Sequence, residues 1–349
     1  MPNEMSFSSL RKNIIRIAVS LVVLVIAFWW AFQKIDAKAL GQAFLTANYG
    51  IALWVIPIVI LSHLMRAIRW KTLLSKVSNN TKIYNLFSAV MVGYAANNII
   101  PRSGEILRPF VFSKREKLPF TTITASVIVE RFIDVLNLLI FLSIAFYFIG
   151  SELQSILPAE YNISINSVMK SIGLMTFLLM VILIVFTTTT LGEWVIQKLF
   201  SRLQTERFSK IQQGMATFKN GLSILSSPQN YIRVIIESLS IWVLYILPMY
   251  VMLFAFNFTT THQFTFLDSC VILLVMAIGT TIAPTPGAIG VVHACVTATM
   301  TQLYGVSKEE ALAYTTLSHG LNYISVTIVG GLFMLRENVS LKNTSTPDS

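Results

Sequence analysis

Six long apolar runs most constrain what this chain can fold into. Each run holds roughly 19 to 28 residues, enough for a helix to cross the roughly 30 Å hydrocarbon core of a membrane. The runs cover residues 14–32, 49–68, 122–149, 167–188, 231–256 and 310–334. Two further apolar regions, 84–112 and 266–304, are broken near the middle by proline and glycine. The sequence therefore predicts an all-α polytopic membrane protein.

The composition excludes most soluble classes of protein. Of 349 residues, 54% are hydrophobic and 12% are charged, with a mean hydropathy of +0.68. Soluble domains carry about 25% charged residues, and one core could not bury this much apolar surface. The net charge of +10 comes from basic residues at the ends of apolar runs, so it does not indicate a nucleic-acid partner. Cys270 and Cys295 lie inside apolar stretches and give no disulfide or metal spacing.

The distribution of lysine and arginine predicts the orientation in the membrane. Most lysines and arginines fall in segments that would lie on the same side of the membrane. Arg66 and Arg69 are counted here among the residues that follow the second run. The positive-inside rule then places both termini in the cytoplasm, if each broken region returns to the side from which it starts. Both broken regions are therefore predicted to be re-entrant hairpins. Two full spans in each region would give the same sides, so that alternative stays open.

Internal similarity predicts a duplicated architecture. Residues 97–106 (NNIIPRSGEI) resemble residues 280–289 (TTIAPTPGAI), and two flanking matches follow in the same order at offsets of about 182 to 188 residues. We predict one transmembrane domain, 1–335, made of two inverted repeats (about 10–150 and 165–335). Each repeat has three transmembrane helices and one re-entrant hairpin, a pattern typical of transporters. Duplication retained only for packing is the alternative.

Two segments lie outside this repeat pattern. Residues 190–228 are amphipathic and basic, and they predict helices on the cytoplasmic membrane surface or a connector packed on the bundle. Residues 336–349 form a short polar tail that we expect to be disordered.

The first hairpin carries candidate headgroup ligands. They are Asn97, Asn98, Pro101, Arg102, Gly104, Glu105 and Arg108. A helix beginning near Ser103 would present its positive end to an anion, and arginines suit phosphate. Alternatively, Glu105 pairs with Arg108, or both arginines extend to the cytoplasmic interface.

The third full span contains the charged residues Glu130, Arg131 and Asp134. Charges inside a membrane are costly unless they are paired or hydrated. Arg131 and Asp134 are three residues apart and can pair along one face, whereas Glu130 points about 100° from Arg131 and could reach Arg102 or Arg108. A headgroup path and a structural ion network both explain such charges.

The second half carries neutral polar residues in place of these charges. Its candidate ligands are Pro284, Pro286, Gly287, His293, Ser318, His319 and Asn322. Glu237 is a further acid within an apolar run. If transport is coupled to protons, His293, His319 and Glu237 are the candidate proton carriers. Alternatively, a single histidine inside the membrane more often forms a hydrogen bond between helices.

These motifs resemble a known family. NNIIPRSGEILRP, then an A-x-x-x-x-E-R-x-x-D span and a late APTPGAIG hairpin, are similar to the lysylphosphatidylglycerol synthase transmembrane (flippase-like) family. That family includes the flippase domain of the multiple peptide resistance factor. The resemblance covers about residues 10–335. It implies a multi-pass protein of the bacterial inner membrane that moves lipids or lipid-linked sugars between leaflets. It also assigns the first hairpin and the Glu130–Arg131 span to the headgroup path.

The sequence thus predicts a lipid translocase that acts on an anionic phospholipid or a lipid-linked phosphate. The chain ends at residue 349, so we expect no soluble aminoacyl-transferase domain. We found no Walker A, GxSxG, HExxH or CxxC motif, and we expect no enzyme activity, cofactor or metal. The alternatives are an intramembrane polyprenyl-phosphate enzyme using Ser103 with Glu105 or Ser318 with His319, an ion-coupled anion carrier, and a scaffold subunit. An envelope lipid or glycan biosynthesis enzyme is a candidate partner; the oligomeric state is open.

Overall fold

The computed structural model describes residues 22–75, 78, 80–156, 164–188 and 228–337. Within those ranges the regular elements are helices, and no strand occurs. The helices are α1 (Val22–Phe32), α2 (Ala37–Thr46), α3 (Tyr49–Ala52), α4 (Val55–Leu74), α5 (Ile83–Ile99), α6 (Gly104–Glu116), α7 (Phe120–Ile156), α8 (Ile165–Thr188), α9 (Pro228–Ala255), α10 (Phe258–Thr261), α11 (Phe266–Ile282), α12 (Val291–Tyr304) and α13 (Lys308–Arg336). A 3₁₀ turn, Pro286–Ala288, lies between α11 and α12.

Several of these helices are suited to a membrane. By length and composition, three candidate spans lie within the described residues: Tyr49–Leu74, Asn230–Ala255 and Lys308–Arg336. Shorter apolar helices cover Val22–Phe32, Asn166–Val181 and Phe266–Ile282. The predicted all-α polytopic membrane protein is confirmed. The number of crossings and the inverted relation of the two repeats stay predictions.

Both broken regions fold back on themselves where the sequence placed the breaks. The first break lies between α5 and α6, at Pro101, and the second lies between α11 and α12, at Pro284. A Cβ atom added at Gly93 on α5 would lie 2.9 Å from Arg108 Cβ on α6, so these two helices pack closely. A Cβ atom added at Gly279 on α11 would lie 2.6 Å from Cys295 Sγ on α12.

The helix lengths favour re-entrant hairpins over full spans. The four helices of the broken regions hold 17, 13, 17 and 14 residues. At 1.5 Å per residue they extend about 20 to 26 Å, which is less than the roughly 30 Å hydrocarbon core.

The chain divides into two compact units. The first unit contains the described part of Met1–Pro57, together with Ala96–Arg102 and Ile246–Ser325. The second contains Ile58–Ala95 and the described parts of Ser103–Tyr245 and Val326–Ser349. In the second unit, α7 packs against α6 and α8. The predicted surface insert at 190–228, apart from the first residue of α9, and nearly all of the 336–349 tail lie outside the described residues.

Candidate functional site

The centre of the candidate site is a pair of acids on α7. Glu130 and Asp134 are four residues apart and share one face of the helix. Arg66 and Arg69 of α4 and Arg108 of α6 converge on that face. We call these five side chains the buried ion cluster; all lie in the second unit.

Glu130 is inaccessible to solvent and is bound by three guanidinium groups. Its Oε1 accepts from Arg66 Nε at 2.5 Å and lies 3.5 Å from Arg69 Nη2. Its Oε2 accepts from Arg108 Nη2 at 2.7 Å. Charged hydrogen bonds of this kind offset the cost of burying a carboxylate.

Asp134 is bound by the same two arginines of α4. Its Oδ1 accepts from Arg69 Nη2 at 2.5 Å, and its Oδ2 accepts from Arg66 Nη2. Arg131 Nη1 lies farther away, 3.9 Å from Asp134 Oδ2, and its side chain is 40% exposed. The predicted Arg131–Asp134 contact is therefore present but loose.

Uncharged side chains hold the arginines in place. Arg66 Nη1 donates to the hydroxyl of Tyr245 at 2.6 Å, and Arg69 Nη1 donates to Ser238 Oγ at 3.1 Å. Both acceptors lie on α9, so α4, α7 and α9 meet at this cluster. The Arg108 guanidinium stacks on Trp70, with Cζ 3.9 Å from the ring centroid. Such stacking is typical of arginine beside an aromatic face.

Positive charge exceeds negative charge in the buried ion cluster. Three guanidinium groups face two carboxylates, and Arg131 adds a fourth at the edge. Every carboxylate oxygen of the cluster has an arginine partner, whereas four buried guanidinium nitrogens of these arginines have no hydrogen-bond partner among the described residues. They are Nε and Nη1 of Arg108, Nε of Arg69 and Nε of Arg131. Arg108 carries two of these four nitrogens, more than any other arginine of the group.

The structure corrects two sequence-based interpretations. Arg66 and Arg69 are not flanking residues of a cytoplasmic loop, because α4 continues to Leu74 and buries both side chains against the acids of α7. The predicted direction of Glu130, about 100° from Arg131, does not separate it from Asp134, because both acids bind Arg66. Of the two partners that the sequence left open for Glu130, Arg102 and Arg108, the structure shows Arg108. Each helix carries two like charges on one face, three residues apart on α4 and four apart on α7, but this spacing does not indicate which helices pair.

The other predicted ligands of the first hairpin lie around its break. Helix α6 begins at Gly104, as the sequence indicated, and Gly104 is buried. Glu105 is exposed, and the alternative in which it neutralises Arg108 is wrong because Arg108 instead bonds Glu130. Arg102 has a positive φ of 63° and donates from Nη2 to the Thr281 carbonyl at 3.4 Å. Asn97, Asn98 and Pro101 are half-buried.

A second polar group forms in the first unit around the break of the second hairpin. His319 Nε2 lies 2.9 Å from the Gly287 carbonyl oxygen, and the His293 ring is perpendicular to that of His319 at 5.4 Å between centroids. Asn98 Nδ2 donates to the Tyr323 carbonyl at 3.4 Å. The first unit therefore contains residues from the breaks of both hairpins.

The remaining predicted residues of the second half are placed as follows. Ser318 Oγ is buried and lies 3.8 Å from Met249 Sδ, and the Asn322 carbonyl accepts from Ser325 Oγ at 3.0 Å. Pro284 precedes the 3₁₀ turn and Pro286 begins it. The predicted ligands thus fall into two groups, one in each unit, and their union in one groove stays a prediction.

Glu237 belongs to the second unit, whereas His293 and His319 belong to the first. Its Oε1 accepts from Thr72 Oγ1 at 2.8 Å and from Arg233 Nε at 2.9 Å. Its position on α9, next to Ser238, places a further buried carboxylate one residue from a contact of Arg69.

Comparison with known protein families gives a match over most of the chain. The family described as the lysylphosphatidylglycerol synthase TM region matches residues 14–330, which include both hairpins and the buried ion cluster. The chain belongs to this family. The matched region is the transmembrane region, and the chain is a multi-pass membrane protein.

Three relatives are similar over nearly the whole chain. The UPF0104 membrane protein PH1989 of Pyrococcus horikoshii is 22% identical, over 96% of this chain and 100% of its own length. The UPF0104 membrane protein MJ1595 of Methanocaldococcus jannaschii is 23% identical, over 92% and 96%. The glycosyltransferase AglD of Haloferax volcanii is 22% identical over 94% of this chain, which spans 55% of AglD.

Proposed function

We propose that this protein is a translocase that moves an anionic phospholipid or a lipid-linked phosphate between membrane leaflets. The phosphate of the headgroup binds at the buried ion cluster, and the acyl or prenyl chains stay in the bilayer. The single observation that carries this proposal is the excess of guanidinium groups around Glu130 and Asp134.

Electrostatics explains why such an excess favours an anionic ligand. A buried charge without a partner costs several kcal/mol, so an extra arginine inside a membrane protein is costly unless it has a use. The N–H groups on Nε and Nη1 of Arg108 have no acceptor within the part of the chain that the structure describes. Phosphate oxygens are strong acceptors for guanidinium groups and would supply one.

The hairpins provide a means of movement in this proposal. Short broken helices that meet inside a membrane protein can rock between two arrangements and give alternating access to a site. We propose that Arg131, at the edge of the cluster, and Arg102, at the break of the first hairpin, attract the headgroup on its way. The protein would lie in the cytoplasmic (inner) membrane with both termini in the cytoplasm.

Reconstitution in liposomes tests the proposal. Fluorescent phosphatidylglycerol and a polyprenyl phosphate would be compared with zwitterionic phosphatidylcholine. We expect faster movement of the anionic lipids than in protein-free liposomes. A charge-assisted hydrogen bond contributes about 1.5–3 kcal/mol, so Arg108→Ala should slow this movement by about tenfold or more.

The matched control is Arg115→Ala. Arg115 lies on the same helix as Arg108, but its side chain is 44% exposed, so we expect movement at the wild-type rate. Wild-type protein that moves anionic lipid no faster than empty liposomes would contradict the proposal. A folded Arg108→Ala variant with the wild-type rate would contradict the assignment of the site.

A second candidate function is that of a subunit for envelope glycan synthesis. It is favoured by the similarity to AglD, whose name describes a glycosyltransferase and whose chain is longer than the matched region. Under this alternative the ion cluster is structural and the protein binds a glycosyltransferase. Purification from its native membrane after cross-linking would recover that enzyme, and Arg108→Ala would not change lipid movement.

Catalysis by this chain itself is less well supported. Ser318 Oγ lies against Met249 Sδ, and His319 Nε2 bonds the Gly287 carbonyl, so these groups engage other partners. A nucleophilic serine needs a base within hydrogen-bond reach. We therefore propose no enzyme activity, and phosphate released from a polyprenyl diphosphate by purified protein would contradict this.

A further inference from the structure

We propose that His293 and His319 form a proton-binding site that controls how tightly the tip of the second hairpin, residues 283–290, is held. His293 lies on α12 and His319 on α13, and both belong to the first unit. Neither is part of the buried ion cluster. The use of this proton to drive transport rests on the proposed function; the proton site itself does not.

The contact made by His319 fixes which of its nitrogens carries hydrogen. Its Nε2 is 2.9 Å from the Gly287 carbonyl oxygen, which can only accept a hydrogen bond. Nε2 is therefore the donor, and Nδ1 of the neutral ring is a free base. A proton on Nδ1 gives the ring a positive charge and makes the bond to Gly287 charge-assisted, which is roughly twice as strong. Proton binding thus tightens the tip.

His293 provides the second position for the proton. The residue is 5% exposed, and its buried Nδ1 has no hydrogen-bond partner among the residues that the structure describes. The rings of Phe28 and Phe32 lie 6.4 and 6.2 Å away, and His319 lies 5.4 Å away. At this separation two imidazolium charges would repel each other strongly, so the pair holds one proton at a time.

The groups around His293 and His319 leave these two imidazoles as the side chains that titrate there. Helix α1 contributes Phe28 and Phe32, and the tip contributes the Gly287 carbonyl, none of which is charged near neutral pH. From α13, the Tyr323 ring lies 6.2 Å from the His319 ring between centroids. Arg102 is the charged side chain at these breaks, and it donates to the Thr281 carbonyl. Within the described residues, neither imidazole forms an ion pair with a carboxylate.

The tip that His319 holds is tightly constrained. Gly287 has a φ of +58°, and a Cβ atom there would lie 2.3 Å from the Tyr323 ring, so the backbone sits directly against α13. The Tyr323 carbonyl accepts from Asn98 at the break of the first hairpin. A proton that strengthens the His319–Gly287 bond therefore stabilises a contact region shared by both breaks, and loss of the proton weakens it.

Nitrogen-15 NMR of the imidazoles tests the site without any transport assay. Full-length protein would be titrated in lipid nanodiscs between pH 4 and 8, with His293→Gln and His319→Gln used to assign the signals. We expect His319 to be the Nε2–H form when neutral, and the pair to bind one proton over this range. An Nδ1–H form of His319, or one proton bound by each ring, would overturn the proposal.

Coupling to transport is tested with an imposed pH gradient across proteoliposomes. Coupling of one proton to one lipid would shift the distribution of fluorescent phosphatidylglycerol by up to about tenfold per pH unit. The measured quantity is the ratio of distributions with and without the gradient. His319→Gln keeps an amide donor but binds no proton, so this ratio should fall to one. His262→Gln, a change at a histidine bonded to Thr261 outside the pair, should respond as wild type.

The outcomes separate the two proposals. If wild-type protein moves lipid but the gradient has no effect, or His319→Gln responds like wild type, proton coupling is wrong while the translocase remains. If wild-type protein moves no lipid at all, the proposed function and coupling both fail, and the NMR titration alone decides whether the proton site exists.

Discussion

Arg108 and Glu130 bond each other over 2.7 Å, from Nη2 to Oε2, and both side chains are buried. This contact joins the first hairpin to α7, so it links the element proposed to move with the helix that carries both acids. Arg108 uses one nitrogen here, and its Nε and Nη1 have no hydrogen-bond partner in the described ranges. Its geometry therefore suits both a structural and a ligand-binding role, and the predictions below separate these roles.

Removal of the negative charge of Glu130 should destabilise the fold. In Glu130→Gln three guanidinium groups face only the carboxylate of Asp134. Breaking a buried ion pair in this way costs about 3–5 kcal/mol. The free energy of unfolding in mixed detergent micelles measures the change. Glu105→Gln, at an exposed position on α6, is the control and should change it by less than about 0.5 kcal/mol.

Loss of both partners should cost less than the sum of the single losses. Arg108→Gln and Glu130→Gln each leave a charged group without its partner, whereas the double variant removes that mismatch. Contacting pairs typically show a coupling energy of about 0.5–3 kcal/mol. The same unfolding measurement on all four proteins gives this energy. A coupling near zero would mean that the two residues do not stabilise each other.

The hydroxyl of Tyr245 should contribute measurably to stability. It accepts from Arg66 Nη1, and Tyr245→Phe leaves that buried donor without an acceptor. We expect a loss of about 1–3 kcal/mol. Tyr231→Phe, on the same helix but at an exposed position, is the control. Equal stability of the two variants would show that Arg66 finds another acceptor.

Gly93 should be required for the position of Arg108. A methyl group at Gly93 would meet Arg108 Cβ at 2.9 Å and the Gly104 carbonyl oxygen at 3.3 Å. Gly93→Ala should therefore push α6 away from α5, lower stability by about 1–3 kcal/mol and slow lipid movement. Gly331→Ala adds the same methyl group where no atom lies within 4 Å and should be neutral or stabilising. Wild-type stability and transport in Gly93→Ala would contradict the close packing.

Local sequence patterns predicted the helices and their breaks well. Proline and glycine inside an apolar run break a helix there, so the sequence indicates where each helix ends. The structure has these breaks at Pro101 and Pro284, and α6 begins at Gly104 as predicted. A partner for Glu130 on the first hairpin was also predicted, because an acid inside a membrane span needs one nearby, but the sequence left Arg102 and Arg108 as alternatives.

The partners of Asp134 could not be found in the same way. Arg66 and Arg69 stand where an apolar run gives way to basic residues, which is also the pattern of a cytoplasmic flank. Their acids are more than sixty residues away in sequence, and hydropathy carries no information on such pairing. Tyr245 looks like an ordinary apolar-run residue for the same reason.

The lipids that remain bound to the purified protein test the central claim most directly. Native mass spectrometry would compare wild type, Arg108→Ala and the exposed control Arg115→Ala after extraction from the same membrane. We predict that wild type and Arg115→Ala retain a phosphate-bearing anionic lipid above its share in the membrane, and that Arg108→Ala retains it only in proportion to that share. Wild-type protein that carries lipids in bulk proportions, or folded Arg108→Ala that keeps the enrichment, would contradict headgroup binding at the buried ion cluster.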